Sequence, residues 1–368
     1  MNGFPRLVVF LALVVGSSGT MEAVEFSQGN PTDQEQLMLE LVNRARSDPQ
    51  REASRLGIGL NDDLPAGTIS PNPKPPLAFH ALLIEAARSH SDWMLATDAF
   101  SHTGVNGSDP GDRMMKLQFP FSGSWSWGEN IAWQGSTGKI NTTQTIRAEH
   151  DNLIRSHGHR ENLMNPDFDE IGIGAREGVF TQGSTYNALM TTQDFALSAG
   201  TPGPILLGVV YRDLDGDQSY SPGEGIEGVV VQVEGQKDTA RTSSSGGYAL
   251  PFSGTGMATA NFSGNGLGKG YSVPFQRAGN NVKVDLIPGA AVAEPPKIGG
   301  ITVLSNKRVQ ISVSGSSGSM ATIESSLDLK SWLTSTTLTI DVGQTSVKWI
   351  DPNSNSMDGS RSFYRLGN

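Results

Sequence analysis

The feature that most limits what this chain can become is a change of periodicity at Ala199-Gly200-Thr201-Pro202-Gly203-Pro204. Before it, apolar residues recur at helical spacing; after it, they alternate in short runs cut by turn residues. One core cannot satisfy both patterns over 368 residues, so the chain divides into an α/β part and an all-β part. In the first part, Thr32-Asp33-Gln34-Glu35 has the form of a capping box. Leu37, Met38, Leu41, Val42 and Ala45 continue it as an amphipathic helix that stops at Asp48-Pro49. After a loop rich in Pro, Gly and Asn, the spacing of apolar residues from Phe79 to Met94 predicts a second helix ending near Asp98. A short helix is expected around Arg113 to Leu117, and a long one from Thr142 to His157, with Gly158 as its terminator and His159 just beyond. Ile171 to Ala175 and Tyr186 to Phe195 read as strands, which makes residues 31–199 an α/β sandwich.

Beyond the break, Leu206 to Tyr211, Gly228 to Val233, Gly247 to Phe252 and Asn281 to Leu286 are expected as short strands of a β-sandwich over 204–288. A linker containing Pro295-Pro296 spans 289–300. The remainder, 301–368, is a small β module in which Val309, Ile311 and Val313 alternate. The expected fold class is therefore multidomain: one α/β domain followed by two all-β modules.

The formal charge of −10 excludes nucleic acid as a partner, which needs a surplus of Lys and Arg on one face, and suits a cationic ligand or divalent metal. Arg6, the apolar run Leu7 to Val15 and Gly16-Ser17-Ser18-Gly19 have the form of an export signal over 1–23. No later segment approaches the ~20 apolar residues of a membrane helix, so a secreted protein with no membrane span after signal removal is expected. With 0 cysteines an exported chain has no disulfides to lean on, which points to a bacterial source and to support from large cores or metal.

Three signatures carry groups capable of chemistry: Phe100-Ser101-His102-Thr103, Gly128-Glu129-Asn130-Ile131-Ala132, and His157-Gly158-His159-Arg160-Glu161-Asn162. Neutral imidazoles of His102 and His159 suit zinc or a similar divalent metal, and Glu129 beside them can take a proton from bound water. The competing reading is a buried polar network that ties loops to the sandwich, because two histidines alone leave a metal short of protein ligands. His150 and His157 lie seven apart on one helical face, where a histidine is more often packed than ligating. The chain lacks a Gly-x-Ser-x-Gly elbow, a cysteine nucleophile and His-Glu-x-x-His, which argues against the common serine, cysteine and zincin proteases. A separate signal lies in the second part. Asp213, Asp215, Asp217, Ser219 through its backbone carbonyl, and Glu224 occupy positions 1, 3, 5, 7 and 12 of a loop, the order in which oxygen ligands surround calcium. Gln218 stands where such loops carry glycine.

These motifs, with Phe168-Asp169-Glu170-Ile171-Gly172-Ile173-Gly174 and Thr192-Gln193-Asp194-Phe195, resemble the bacterial branch of the CAP superfamily, the SCP-like extracellular domain, over residues 33–197. The resemblance implies an α-β-α sandwich with a cleft of two histidines and acidic residues that in some members binds a divalent metal. Its positions here are His102, Glu129 and His159. The second acidic position has no clear counterpart: Glu149 lies in the right helix, and His150 or His157 are alternatives. With strands on both sides, the calcium loop resembles SdrD B-like or Cna B-like modules, and the last module resembles C-terminal appendages of secreted planctomycete-type proteins. The expected function is a secreted protein whose His/Glu cleft binds an extracellular ligand (lipid, peptide or glycan) or a divalent metal, on a calcium-stabilised β-sandwich stalk. Two alternatives stand beside it: an extracellular hydrolase using the same cleft, and a cell-surface adhesion or matrix-attachment protein in which the cleft is vestigial.

Overall fold

Thr32 starts the first helix by the reciprocal bonds its sequence encodes: its hydroxyl accepts from the Glu35 N–H at 3.2 Å while the Glu35 carboxylate accepts from the Thr32 N–H at 2.7 Å. Helix α1 (Asp33–Ser47) runs to Asp48, whose side chain caps α2 (Pro49–Arg55). Asp48-Pro49 is thus a junction between two helices, proline being tolerated at a first helical position. The computed structural model describes residues 28–289, 296–315, 320–340, 344–352 and 362–367. The export signal expected over 1–23 lies outside them, as do residues 290–295 of the expected linker.

There follow β1 (Ala78–Phe79), α3 (Ala81–Thr97), α4 (Pro110–Lys116), β2 (Trp125–Ser136), α5 (Thr142–Arg155), α6 (His157–Met164), β3 (Glu170–Gln182) and β4 (Ser184–Ser198). The sheet order is β1-β3-β4-β2, with only the β1–β3 pair parallel. Because side chains alternate across a strand, Phe195 joins the core under α1, α5 and α6 while Ala196 joins the one under α3 and α4. The Ile171-Gly172-Ile173-Gly174 alternation has the same cause. Both isoleucines enter the first core, and on the other face a Cβ on Gly172 would lie 2.0 Å from the Leu83 carbonyl carbon and one on Gly174 2.3 Å from the Arg88 nitrogen. Helix α3 therefore rests on the bare backbone of β3.

Three local expectations are revised. Phe79 pairs with Ile171 in β1, and the second helix begins after His80, whose Nδ1 accepts the Leu82 N–H. The third helix ends at Arg155, and Gly158 lies inside α6, so His159 sits in that helix's first turn and does not follow a glycine terminator. Strand β2 has no counterpart among the expected elements, since Gly128, Glu129 and Asn130 interrupt any apolar alternation.

The second module contains β5 (Ile205–Val209), β6 (Val229–Val233), β7 (Thr239–Arg241), β8 (Gly247–Pro251), β9 (Gly256–Gly264), β10 (Tyr271–Arg277) and β11 (Val282–Lys283), in sheets ordered β10-β9-β6-β7 and β11-β5-β8. Val229, Val231 and Val233 alternate inward with Phe262, Val273 and Leu250. The expected stalk is packed directly against the α/β part. Val209, Tyr211 and Tyr220 share a core with Leu37 and Phe79, and Ala78 meets Ile205, Leu207 and Ala249. Asn281 Nδ2 donates to the carbonyls of Pro76 (3.1 Å) and Asp169 (2.7 Å), and Lys283 Nζ lies 2.8 Å from Glu40. The third module pairs β12 (Lys297–Val303), β13 (Val309–Ser314) and β16 (Ser346–Ile350) in one sheet, and β14 (Met320–Ser326), β15 (Leu333–Thr339) and β17 (Phe363–Leu366) in the other. Its core is small: Ile311, Val313, Ala321 and Ile323 are buried.

Replacing Gly172 with alanine puts a methyl group into helix backbone that has no side chain to yield. The expected loss is about 3 kcal/mol of stability, read from denaturant unfolding of the full chain. An unchanged midpoint would contradict the close contact of α3 with β3.

Candidate functional site

Strand β2 is the sheet edge, and its register puts Glu129 opposite Asp194 and Asn130 opposite Gln193. Alternation sends the two carboxyl groups to the α3 face and the two amides to the α6 face. On the α3 face Glu129, 6% exposed, has both oxygens engaged. His102 Nδ1 donates to Oε1 at 2.7 Å, and the Arg113 guanidinium forms an ion pair with Oε2. Since a carboxylate offers no proton, the His102 tautomer carries its hydrogen on Nδ1 and leaves Nε2 as the acceptor. The His102 side chain is 53% exposed, so the ring is open to solvent.

Arg113 also donates to the backbone carbonyls of His102 (3.0 Å) and Ser108 (3.1 Å), and His90 Nε2 donates to the Ser101 carbonyl at 2.9 Å. The loop bearing His102 is held from both sides. His90 is buried against Trp93 and is kept neutral, its pKa lowered chiefly by burial. Asp194 is fully buried, and burial together with the neighbouring Glu129 charge raises its pKa well above the usual carboxylate range. It is therefore the protonated member of the carboxyl pair.

On the α6 face, Asn130 Nδ2 donates to the His159 carbonyl (3.2 Å) and to Gln193 Oε1 (3.1 Å), and Asn162 Nδ2 donates to the Glu129 carbonyl (3.2 Å). These bonds pin the first turn of α6 to the edge strand beside Glu129. His159 is half-buried, and burial, followed by the charges of His102 and His157, lowers its pKa. The site is thus two imidazoles astride a sheet edge, with Glu129 orienting one of them. His157 is exposed at the start of α6.

His150 is not brought to this cleft. Its Nε2 donates to Glu52 Oε1 at 2.9 Å, in a buried network where Glu52 also pairs with Arg44 (2.8 Å) and Arg55 (2.6 Å). Glu52, His150 and Asp151 approach one another closely enough for a cation, but the two guanidiniums already neutralise the two acids and would repel a metal. Glu149 is also buried; its oxygens have no hydrogen-bond partner among the described residues, though the Thr191 hydroxyl and the Gln134 backbone lie beside it. Burial pushes its pKa up to about 8. Among the described residues, no three His, Asp or Glu ligand atoms that include His102 or His159 lie within 4.8 Å of one another. Two imidazoles, with Glu129 occupied, do not fit a resident zinc, which takes three or four protein ligands.

The second loop is better provided. One carboxylate oxygen each from Asp213, Asp215 and Glu224 lies within 4.8 Å of the others. Gln218 adopts φ +59°, supplying the left-handed turn for which other loops use glycine. Asp217 Oδ1 accepts the Ser219 N–H at 2.7 Å, and Glu224, 4% exposed, accepts the N–H groups of Leu214 and Ser221. The loop also abuts α1: Tyr220 Oη donates to Asp33 at 3.2 Å and the Gly223 N–H does so at 3.0 Å. Arg113 and Asp194 escaped the reading of the sequence as site residues. Arg113 is marked in the sequence only as part of an expected short helix, and only strand register sets Asp194 opposite Glu129.

Residues 39–195 match the model of the Cysteine-rich secretory protein family, CAP. The match covers under half of the chain, and it supports a CAP domain, in a bacterial context, for this part. The chain is similar to the uncharacterized protein YkwD of Bacillus subtilis, 30% identical over 109 residues, which are 29% of this chain and 38% of that protein. An extracellular protein of Bacillus anthracis containing an SCP domain is similar at 25% identity and a TM-score of 0.27, over 44% of this chain and 39% of that one. An outer surface protein of Borrelia burgdorferi is similar at 17% identity and a TM-score of 0.29, over 45% of this chain and 93% of that one. The chain therefore spans well under half the length of the two Bacillus relatives.

Glu149 gives a pH signature. A carboxyl whose pKa rises from 4.5 to about 8 on folding lends stability that is present below pH 4.5 and is lost as pH climbs towards 8. Glu149→Gln is expected to cancel ~3 kcal/mol of that decline between pH 4.5 and 7, measured as the difference between variant and wild-type unfolding curves. Parallel curves would contradict a neutral Glu149.

Proposed function

We propose that this chain is an extracellular CAP-domain protein that binds a ligand in the cleft between His102 and His159. The observation that carries the reading is the double engagement of Glu129. Held by His102 on one oxygen and Arg113 on the other, it orients an imidazole and is not free to take a proton from water. Binding is favoured over hydrolysis for that reason. The export-signal pattern at the N-terminus supports the extracellular setting. Calcium on Asp213, Asp215, Asp217, the Ser219 carbonyl and Glu224 offsets the repulsion among these carboxylates and braces the β-sandwich against α1.

Convergence of the two imidazoles is tested with zinc as a probe, by calorimetry on the full chain in excess calcium. Weak two-ligand affinity, roughly 100 μM or about 5.5 kcal/mol, lost in both His102→Ala and His159→Ala, is the expected result. No heat, or heat indifferent to both substitutions, would sink the shared cleft. For the loop, chelating calcium should lower the melting temperature of the wild type and leave Glu224→Gln unmoved; a wild-type melt blind to chelator rules the calcium assignment out.

A further inference from the structure

The turn joining β14 to β15 exposes three leucines: Leu327 at 73%, Leu329 at 56% and Leu333 at 75%. The turn is tightly built. Ser326 Oγ accepts the N–H groups of Asp328 (3.2 Å) and Leu329 (2.9 Å) and donates to Asp328 Oδ1 (3.1 Å). The same Asp328 oxygen accepts from the N–H groups of Lys330 and Ser331, each at 2.8 Å. Within this frame Leu329 is held at φ +62°, a region that leucine enters only at a cost in strain and that glycine would fill freely. A surface turn gains no folding stability from leucines left in water, so their presentation needs another cause.

We propose that this turn seats the third module on a lipid bilayer, with Leu327, Leu329 and Leu333 entering the acyl boundary. Side chains this open need no matching cavity in a fluid acyl phase, which accepts them as they stand. The surroundings fit the interface. Trp332 lies beside the leucines with the Arg365 guanidinium, ion-paired to Glu324 at 2.7 Å, 4.3 Å from its ring centroid, and Lys330 is exposed, so an aromatic ring and a lysine stand at headgroup level. Asp328, the only acid between Ser326 and Leu333, has a carboxylate oxygen bound to donors of its own turn, which reduces its repulsion of lipid phosphates. The inference depends on neither the cleft nor the calcium loop.

Co-sedimentation of the full chain with phosphatidylcholine vesicles, and with vesicles that also contain phosphatidylglycerol, tests it. The wild type is expected to partition onto both, and Leu327→Ser/Leu329→Ser/Leu333→Ser to lower the partition coefficient at least about tenfold without change in circular dichroism. Leu329→Gly relieves the backbone strain, so it should keep or raise the melting temperature while weakening vesicle binding, a combination that a purely structural leucine would not give. Absence of wild-type binding, or equal binding by the triple variant, overturns the proposal. Binding confined to phosphatidylglycerol and abolished by salt overturns it in favour of electrostatic attraction. A concentration-dependent dimer that the triple variant loses, without vesicle binding, assigns the leucines to a second copy of the chain.

Discussion

Burial of the Glu129 carboxylate against the Arg113 guanidinium organises the open edge of the α/β sheet. A charge taken out of water is tolerated only when paired and hydrogen-bonded, and this pair has been extended to everything nearby. One guanidinium ties α4, the loop of His102 and β2 together, and the second oxygen of Glu129 sets the tautomer of His102. Asp194 can lie alongside because it keeps its proton; two carboxylates in that position would leave a net negative charge with no counterion.

A chain without cysteines stabilises irregular segments by other means. Arg46 is fully buried and donates to the carbonyls of Pro75, Leu163, Asn165 and Phe168, joining α1 to two loops remote in sequence; burial lowers its pKa to about 9. Arg160 does the same for the carbonyls of Leu60, Ile154, Arg155 and Asp62. A planar guanidinium with five donors can satisfy several orphan carbonyls at once, a role that lysine cannot fill. Contact between the first two modules has a similar logic. Asn281 takes two carbonyls from the α/β part, and Asp33 spends its carboxylate on the turn that also holds the acidic loop.

Some of this was legible beforehand because the signal is local. The Thr32 capping box, the alternation of Val229, Val231 and Val233, and the order of acids from Asp213 to Glu224 each act within a dozen residues, and each appears where the spacing put it. Strand β2 was not legible, because three of its four buried positions are Gly128, Glu129 and Asn130, which no apolar alternation announces. Gly158 misled for a related reason: glycine usually marks a helix end, but here the chain breaks at Ser156 and glycine is carried inside the next helix. His150, expected on its helical face to be packed more often than ligating, is indeed buried, and only the fold supplies Glu52 as its partner.

The sequence alone determined the division into an α/β part and β modules, and it named His102, Glu129 and His159 together with the acidic loop, since these rest on periodicity and on short spacings. Tertiary structure decided which partners those residues have. Arg113, Asp194, Asn130 and Asn162 reach the site through strand register and helix docking, and the Cβ-free rows of Gly172 and Gly174 set how closely α3 descends on the sheet. The physical reason is that hydrogen bonds and ion pairs act over a few ångströms in space, whatever the separation along the chain.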